Sequence, residues 1–196
     1  MAKYDDDVCK RLLDIANRHN DCLNDYDKIV TACPKRLLSR GVDLYGLYWP
    51  DMEMSKYIIS KSKPTRNEKR KHYAYYFDEQ DRLRLTERYD GHKDDLDDLL
   101  NLIFFYYYEN HTEIVWYSQD QKAVSITGFM DYENGKLTRF VESYNFVTAL
   151  KHGKGIESYQ EYRFDIDPVN VRHRIYATNM NSDGSVWERF SETKKR

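Results

Sequence analysis

The feature of this sequence that most constrains its fold is a pair of short, similar stretches, residues 77–83 (FDEQDRL) and 131–138 (DYENGKLT). Each holds an aromatic or acidic residue, a polar turn, a basic residue and a leucine. Aromatic and charged residues alternate on either side of both stretches. Such alternation is typical of two antiparallel strands joined by a tight turn. The sequence therefore predicts a meander of β-hairpins, in which most of the 18 tyrosines lie.

The N-terminal segment has a helical period instead. Seven residues recur there at steps of four and three: Leu12, Ala16, His19, Leu23, Tyr26, Val30 and Cys33. This spacing predicts an amphipathic helix, or two helices packed as a hairpin if the chain breaks near residues 17–21. On that stripe His19 is expected to be a partly buried, hydrogen-bonded side chain. Pro34 cannot continue the helix, and residues 34–40 could form a further short turn before Gly41.

Together these patterns predict an α+β fold in which an N-terminal helix or helical hairpin packs on a large antiparallel β-meander. The sheet is expected to be open or partly curled, with about eight to ten strands. A single domain over residues 1–196 is expected, helical over 1–41 and β over 42–191. A short helix or turn is predicted around residues 96–103, followed by hairpins at 104–108/112–118 and 122–132/136–146. The second of these hairpins turns at Asn134-Gly135, a dipeptide typical of a type I′ turn.

Composition limits the functional classes and the compartment. The net charge of −2 argues against general nucleic-acid binding. Three cysteines, an odd number, all lie in the helical segment, which favours reduced thiols. The sequence has neither an apolar stretch of membrane-spanning length nor the apolar core of a signal peptide. We therefore expect a cytoplasmic protein.

Two blocks of like charge are candidate contact surfaces. Residues 61–71 (KSKPTRNEKRK) are basic and residues 90–98 (DGHKDDLDD) are acidic. The acidic run contains Asp94, Asp95, Asp97 and Asp98, which could complement a basic partner and steer its association. The alternative is that both blocks are solvated loops.

Aromatic residues supply a second candidate surface. Tyr106, Tyr107 and Tyr108 are consecutive, so on a strand they place rings on both faces of the sheet. Trp116 and Tyr117 divide in the same way. Tyrosine and tryptophan dominate binding hot spots, which makes these five residues candidates for partner contact. Packing into the core is the alternative for each of them.

No recognisable catalytic or metal-binding motif accompanies these features. The six histidines have no paired helical spacing, and no serine or cysteine lies in a glycine-flanked nucleophile turn. We therefore expect no catalytic residue, metal or cofactor. One enzymatic alternative stays open, in which His72 and His173 on predicted strands act as acid and base in a hydrolase or nuclease.

The two turn stretches resemble the YD-repeat hairpins of Rhs proteins. Phe77, Asp78, Arg82 and Leu83 match that pattern in the first stretch, and Tyr132, Gly135, Lys136 and Leu137 match it in the second. Asp81 stands where the repeat has glycine, and Glu133 replaces its aspartate. Rhs repeats build large shells around toxins, and this chain is too short for that, so the resemblance implies shared hairpin geometry rather than membership.

As a class, the chain resembles the small cytoplasmic immunity proteins of bacterial polymorphic-toxin and contact-dependent inhibition systems. Those proteins are compact, often β-rich with helices, and carry aromatic and charged surfaces without a catalytic centre. The resemblance implies a non-enzymatic protein-binding module that neutralises a cognate toxin. A curled sheet that binds a small molecule remains the alternative.

Overall fold

The computed structural model describes residues 6–40, 63–66, 68, 71–89, 99–144, 158–167, 172–181 and 186–194. Helix α1 spans Asp6–Arg18, and its first turn is acidic while its last turn holds Arg18, as the helix dipole favours. A turn over residues 19–21 separates it from a 3-10 helix at Cys22–Asp25 and from helix α2 at Tyr26–Ala32. The predicted break near residues 17–21 is therefore present.

Within the described residues, eleven strands follow the helices. They are β1 (Lys35–Arg40), β2 (Lys63–Thr65), β3 (Tyr73–Phe77), β4 (Leu83–Tyr89), β5 (Leu99–Tyr107), β6 (His111–Ser118), β7 (Ala123–Glu133), β8 (Lys136–Tyr144), β9 (Ser158–Asp167), β10 (Arg172–Asn181) and β11 (Val186–Lys194). Every strand pair with a described register is antiparallel. The predicted α+β class, with helices preceding an antiparallel meander, is confirmed.

The chain divides into two compact units. Unit 1 comprises residues 1–20, 106–115 and 123–196, and unit 2 comprises residues 21–105 and 116–122. The strand order is β7-β8-β9-β10-β11 in unit 1 and β5-β4-β3-β1-β2 in unit 2. Both orders are linear, so the sheet is open in each unit. The expectation of a single domain stays a prediction.

In unit 1, helix α1 packs on strands β7 and β8. Its buried side chains Leu12 and Ile15 have no exposed surface, and removal of such residues from water is the main driving force for docking a helix. The hydroxyl Oγ1 of Thr127 in β7 donates to the carbonyl oxygen of Leu12 at 3.0 Å. This bond fixes the position of the helix on the sheet.

In unit 2, helix α2 packs against β4, with Ile29 buried. The core is rich in tyrosine, as its composition suggested. Tyr75 is fully buried, and its hydroxyl lies 3.1 Å from Oγ of Ser39, so its polar end is satisfied inside the unit.

Both turn stretches form hairpin loops. Asn134 and Gly135 have φ of 51° and 72°, the positive values that a type I′ turn requires, and they join β7 to β8 as predicted. In the other stretch, Oδ1 of Asp78 accepts from the backbone N–H groups of Gln80 and Arg82, at 3.1 and 2.9 Å. An aspartate therefore closes the loop between β3 and β4.

Three predicted boundaries were wrong. Residues 35–40 form strand β1 rather than a turn of the helical segment, because Pro34 ends α2 and leaves Cys33 extended, after which β1 pairs with β3. Residues 99–103 belong to strand β5, where a short helix or turn was predicted. Strand β11 continues to Lys194, beyond the predicted limit of 191.

Several predicted features lie outside the described residues. They are residues 61, 62, 67, 69 and 70 of the basic block, and the acidic run with Asp94, Asp95, Asp97 and Asp98. Within the basic block, residues 63–65 form strand β2.

Candidate functional site

The most chemically diverse group of side chains in unit 1 surrounds Glu113. This residue lies in strand β6, and its side chain is only 3% exposed. An ionised carboxylate in such a position needs several hydrogen-bond donors to offset its lost hydration. We call the carboxylate and its partners the Glu113 cluster: Arg18, His19, Tyr106, Tyr108, His111 and Glu113.

The end of helix α1 supplies the two shortest contacts. Nη1 of Arg18 donates to Oε1 of Glu113 at 2.5 Å, and Nε2 of His19 lies 2.8 Å from Oε2. His19 follows the last residue of α1, and its backbone N–H still donates to the carbonyl of Ile15 at 3.1 Å. The helix therefore ends where its final side chains reach β6.

Strand β5, with Tyr108 directly after its last residue, and strand β6 complete the cluster. The hydroxyl of Tyr108 lies 3.3 Å from Oε2 of Glu113, and Nε2 of His111 lies 3.5 Å from Oε1. The ring of Tyr106 stacks on His19 at a centroid distance of 3.8 Å, and that of Tyr108 stacks on His111 at 4.5 Å. Both imidazoles are thus held on one face by a tyrosine and on one edge by the carboxylate.

The electrostatics keep Glu113 ionised. Burial alone would raise the pKa of its carboxyl, but the hydrogen bond from His19 and the charge of Arg18 outweigh burial and lower the pKa to about 2. A hydrogen bond with Tyr108 and the charge of Glu113 raise the pKa of Arg18 above its ordinary value. The ion pair therefore persists over the whole physiological pH range.

Three solvent-exposed or partly exposed members of the cluster form what we call the Tyr108 rim: Arg18, Tyr108 and His111. Arg18 has 51% of its side chain exposed, and Tyr108 is 44% exposed. Both are stabilised by contacts with Glu113 or a stacked ring, so little side-chain entropy remains to be lost on binding. The rim combines a rigid aromatic side chain with a guanidinium group.

Unit 2 contains a second buried carboxylate with different partners. Glu87 in β4 accepts from the hydroxyls of Tyr26 at 2.5 Å and Tyr89 at 2.6 Å. Burial and the hydrogen bond to Glu87 raise the pKa of both tyrosines, while burial and the charge of Glu87 raise that of Tyr76 to about 12. These phenols stay neutral at neutral pH and can donate to Glu87, and the bond from Tyr26 holds α2 on the sheet.

The structure separates the aromatic residues that the sequence singled out. Tyr106 and Tyr108 join the Glu113 cluster, and Tyr107 is partly exposed on the same strand. Trp116 and Tyr117, in unit 2, are buried, which fits the alternative of core packing. The buried and exposed members could not be told apart in the sequence, because every strand here carries aromatic residues at consecutive positions.

Sequence reasoning missed Arg18, His111 and Glu113. Glu113 follows the polar residues His111 and Thr112 in strand β6, where a charge is ordinarily placed on the wet face. Glu113 can be recognised as buried only once its contacts with Arg18 and His19, which are distant in sequence, are known. His19 was expected to be partly buried and hydrogen-bonded, and both properties are confirmed.

The histidine pair considered for catalysis is not the pair in the cluster. His72 precedes β3 in unit 2, and His173 lies in β10 of unit 1. Throughout the described ranges, no group of three or more histidine, cysteine, aspartate or glutamate residues could hold a metal ion. Cys9, Cys22 and Cys33 form no disulfide in the described residues, and burial raises the pKa of the Cys22 thiol to about 11.

Comparison with known proteins gives no relative from which a role could be transferred. No family model, curated protein or solved structure matches this chain. In the part of the chain that the structure describes, no helix has the length and apolar character needed to cross a bilayer.

Proposed function

We propose that this chain is a non-enzymatic protein-binding module that contacts its partner through the Tyr108 rim. The observation that carries the proposal is the arrangement of Arg18 and Tyr108, which are exposed yet held by the buried Glu113. Tyrosine and arginine are enriched in hot spots, and a hot-spot side chain that is already immobile loses less entropy on binding.

The partner class follows from the class resemblance. The chain acts as a cytoplasmic bacterial immunity protein, and its partner is a cognate toxin whose active site it blocks. The acidic run of Asp94, Asp95, Asp97 and Asp98 steers a basic toxin surface toward the chain. Tyr107 follows Tyr106 on β5, and consecutive strand positions point to opposite faces, so we leave Tyr107 out of the proposed contact.

The first experiment combines capture with a functional assay. Tagged full-length chain is used to capture partners from its native cell, and the captured protein is then expressed with and without the chain in a growth assay. We expect a stoichiometric protein whose toxicity the chain suppresses. Suppression that is retained after Tyr108→Ala and Arg18→Ala would contradict the assignment of the rim.

A matched variant separates loss of contact from loss of folding. Tyr132 is also a partly exposed tyrosine of unit 1, and its hydroxyl contacts Sδ of Met130 at 3.3 Å, outside the Glu113 cluster. Tyr132→Ala removes a ring of the same size and is expected to leave protection unchanged. Replacing the four aspartates of the acidic run by asparagine is expected to slow association.

Acid–base catalysis, as in a hydrolase or nuclease, is a second candidate. One observation favours it, the convergence of the His19 and His111 imidazoles on one buried carboxylate. Purified chain is incubated with labelled RNA and DNA to test it. Cleavage that is lost in His111→Gln would favour this candidate over the binding module, and absence of cleavage would exclude nuclease activity.

A further inference from the structure

A second group of charged side chains in unit 1 surrounds the ring of Phe129, which is fully buried in β7. The guanidinium carbon of Arg11 lies 3.6 Å from the centroid of this ring, and that of Arg139 lies 5.5 Å from it. Two guanidinium groups therefore share one aromatic ring, although like charges repel at such short range.

The two arginines are anchored in different ways. Arg11 binds Asp131 through both terminal nitrogens, with Nη2 to Oδ1 at 2.7 Å and Nη1 to Oδ2 at 3.1 Å. Arg139 donates to Oε1 of Glu161 at 2.7 Å through Nε. Both terminal nitrogens of Arg11 are therefore occupied by Asp131, whereas Arg139 is held through Nε.

This anchoring leaves the outer end of Arg139 available. Its side chain is 27% exposed, and its Nη1 and Nη2 atoms make no hydrogen bond to any residue that the structure describes. The outer edge of a guanidinium presents two parallel N–H donors whose spacing matches the oxygens of a carboxylate or phosphate. A rotamer fixed at Nε keeps these donors in place before a ligand arrives.

The strand register shows which positions flank Arg139. On one side, residue 139 of β8 lies directly opposite residue 163 of β9. On its other side, Arg139 lies opposite Asp131, which is taken by Arg11 from the helix.

We propose that the outer edge of Arg139 is a binding site for an oxyanion, a carboxylate or a phosphate group, with Arg11 adding positive potential. A bound oxyanion satisfies the two outer donors and relieves the repulsion between Arg11 and Arg139. The inference goes beyond the proposed function, since it involves no member of the Glu113 cluster and no toxin.

The test uses inorganic phosphate as the probe. Full-length chain with ¹⁵N-labelled arginine is titrated with phosphate at constant ionic strength, and the Nε–H resonances are followed by NMR. We expect the Arg139 resonance to shift and saturate. The half-saturating phosphate concentration is also measured for the parent chain and for Arg139→Gln, from the shift in melting temperature as phosphate is added. We expect it to rise by about ten-fold or more in Arg139→Gln, because the variant loses a charge-assisted bidentate contact.

Arg82→Gln is the matched control. Arg82 is also exposed and is also bound through Nε to a carboxylate, Oδ2 of Asp78 at 2.9 Å, but in unit 2. Its replacement removes one positive charge and is expected to leave phosphate binding unchanged. Arg139→Lys keeps the charge without the planar fork, so it separates bidentate recognition from general attraction and is expected to bind phosphate more weakly than the parent chain.

A parallel titration with a polyglutamate peptide distinguishes the source of the oxyanion. Tighter binding of the peptide indicates carboxylates of an acidic protein, and tighter binding of phosphate indicates a small phosphate-bearing molecule. Absence of saturable binding of both probes would overturn the proposal. Equal binding by the parent chain and by Arg139→Gln would also overturn it.

Discussion

At the scale of single residues, the buried carboxylates Glu113 and Glu142 have different surroundings. These surroundings decide whether each carboxyl group is protonated at neutral pH. Glu113 is surrounded by donors and is ionised, with a pKa of about 2. Glu142 in β8 is equally buried, but its Oε1 is an atom without a hydrogen-bond partner among the described residues. Burial raises the pKa of Glu142 to about 8, so it is mostly protonated at neutral pH.

Replacing Glu113 tests its role as the centre of the cluster. Glu113→Gln removes the charge that Arg18 and His19 bind, and we expect a loss of about 2 kcal/mol in the free energy of unfolding at pH 7. Because the folded-state pKa is lowered, this stabilisation is present above pH 4.5 and is lost as the pH falls toward 2. Urea unfolding at pH 7 and pH 3 measures both effects.

The free energies of unfolding of Glu113→Gln and of the parent chain are expected to converge as the pH falls toward 2. A difference between them that stays constant from pH 7 to pH 3 would contradict an ionised Glu113. Tyr132→Ala, outside the cluster, serves as the control for general acid sensitivity.

Glu142 is expected to show the opposite dependence on pH. Its folded-state pKa lies above the unfolded value of 4.5, so the unfolded chain releases this proton first as the pH rises. Stability is therefore lost between pH 4.5 and about 8, by about 1.4 kcal/mol per pH unit from this group. In Glu142→Gln this decline is absent.

Chemical unfolding of the parent chain and of Glu142→Gln at several pH values tests whether Glu142 lowers stability as the pH rises. Only the difference in slope matters, since other groups titrate in both proteins. Parallel stability curves from pH 5 to pH 8 would show that Glu142 is ionised or solvated in the folded chain.

At the scale of elements, Gly135 and Gly128 are constrained for different reasons. Gly135 has φ of +72° with open space where a Cβ would lie, whereas a Cβ on Gly128 would meet the carbonyl oxygen of Val141 at 2.7 Å. Gly135→Ala carries only backbone strain, and we expect it to cost about 1 kcal/mol. Gly128→Ala must displace strand β8 and is expected to cost more, about 2 kcal/mol.

Thermal unfolding of both variants gives the comparison. Asparagine tolerates positive φ, so Gly135→Asn is expected to be more stable than Gly135→Ala. A larger loss at Gly135 than at Gly128 would show that the turn, rather than close strand contact, limits the β7–β8 hairpin.

The elements that sequence could predict are those with a local cause. Asn134-Gly135 specifies its turn through its own backbone preference, and Pro34 ends α2 by lacking an N–H group. The first part of strand β5, residues 99–103, was missed because Leu102 and Phe104 are buried on one face while Ile103 and Phe105 are buried on the other. A run that is apolar on both faces has no period of two, so it cannot be told from a buried helix.

At the scale of the whole molecule, the fold class was predictable and the candidate site was only partly so. Hydrophobic periodicity and turn residues can be recognised within short stretches of sequence. They predict helices followed by antiparallel hairpins. The Glu113 cluster joins residues 18 and 19 to residue 113, a separation at which no spacing rule applies. Tyr106 and Tyr108 were singled out by residue type alone, whereas their partners required the fold.

The central claim is that the Tyr108 rim binds a protein partner. The most direct measurement is the dissociation constant of the purified captured partner for the parent chain, Tyr108→Ala and Tyr132→Ala, by calorimetry. A hot spot implies that Tyr108→Ala weakens binding by about 30-fold or more, while Tyr132→Ala leaves the constant unchanged. Equal affinity of Tyr108→Ala and the parent chain would contradict the claim.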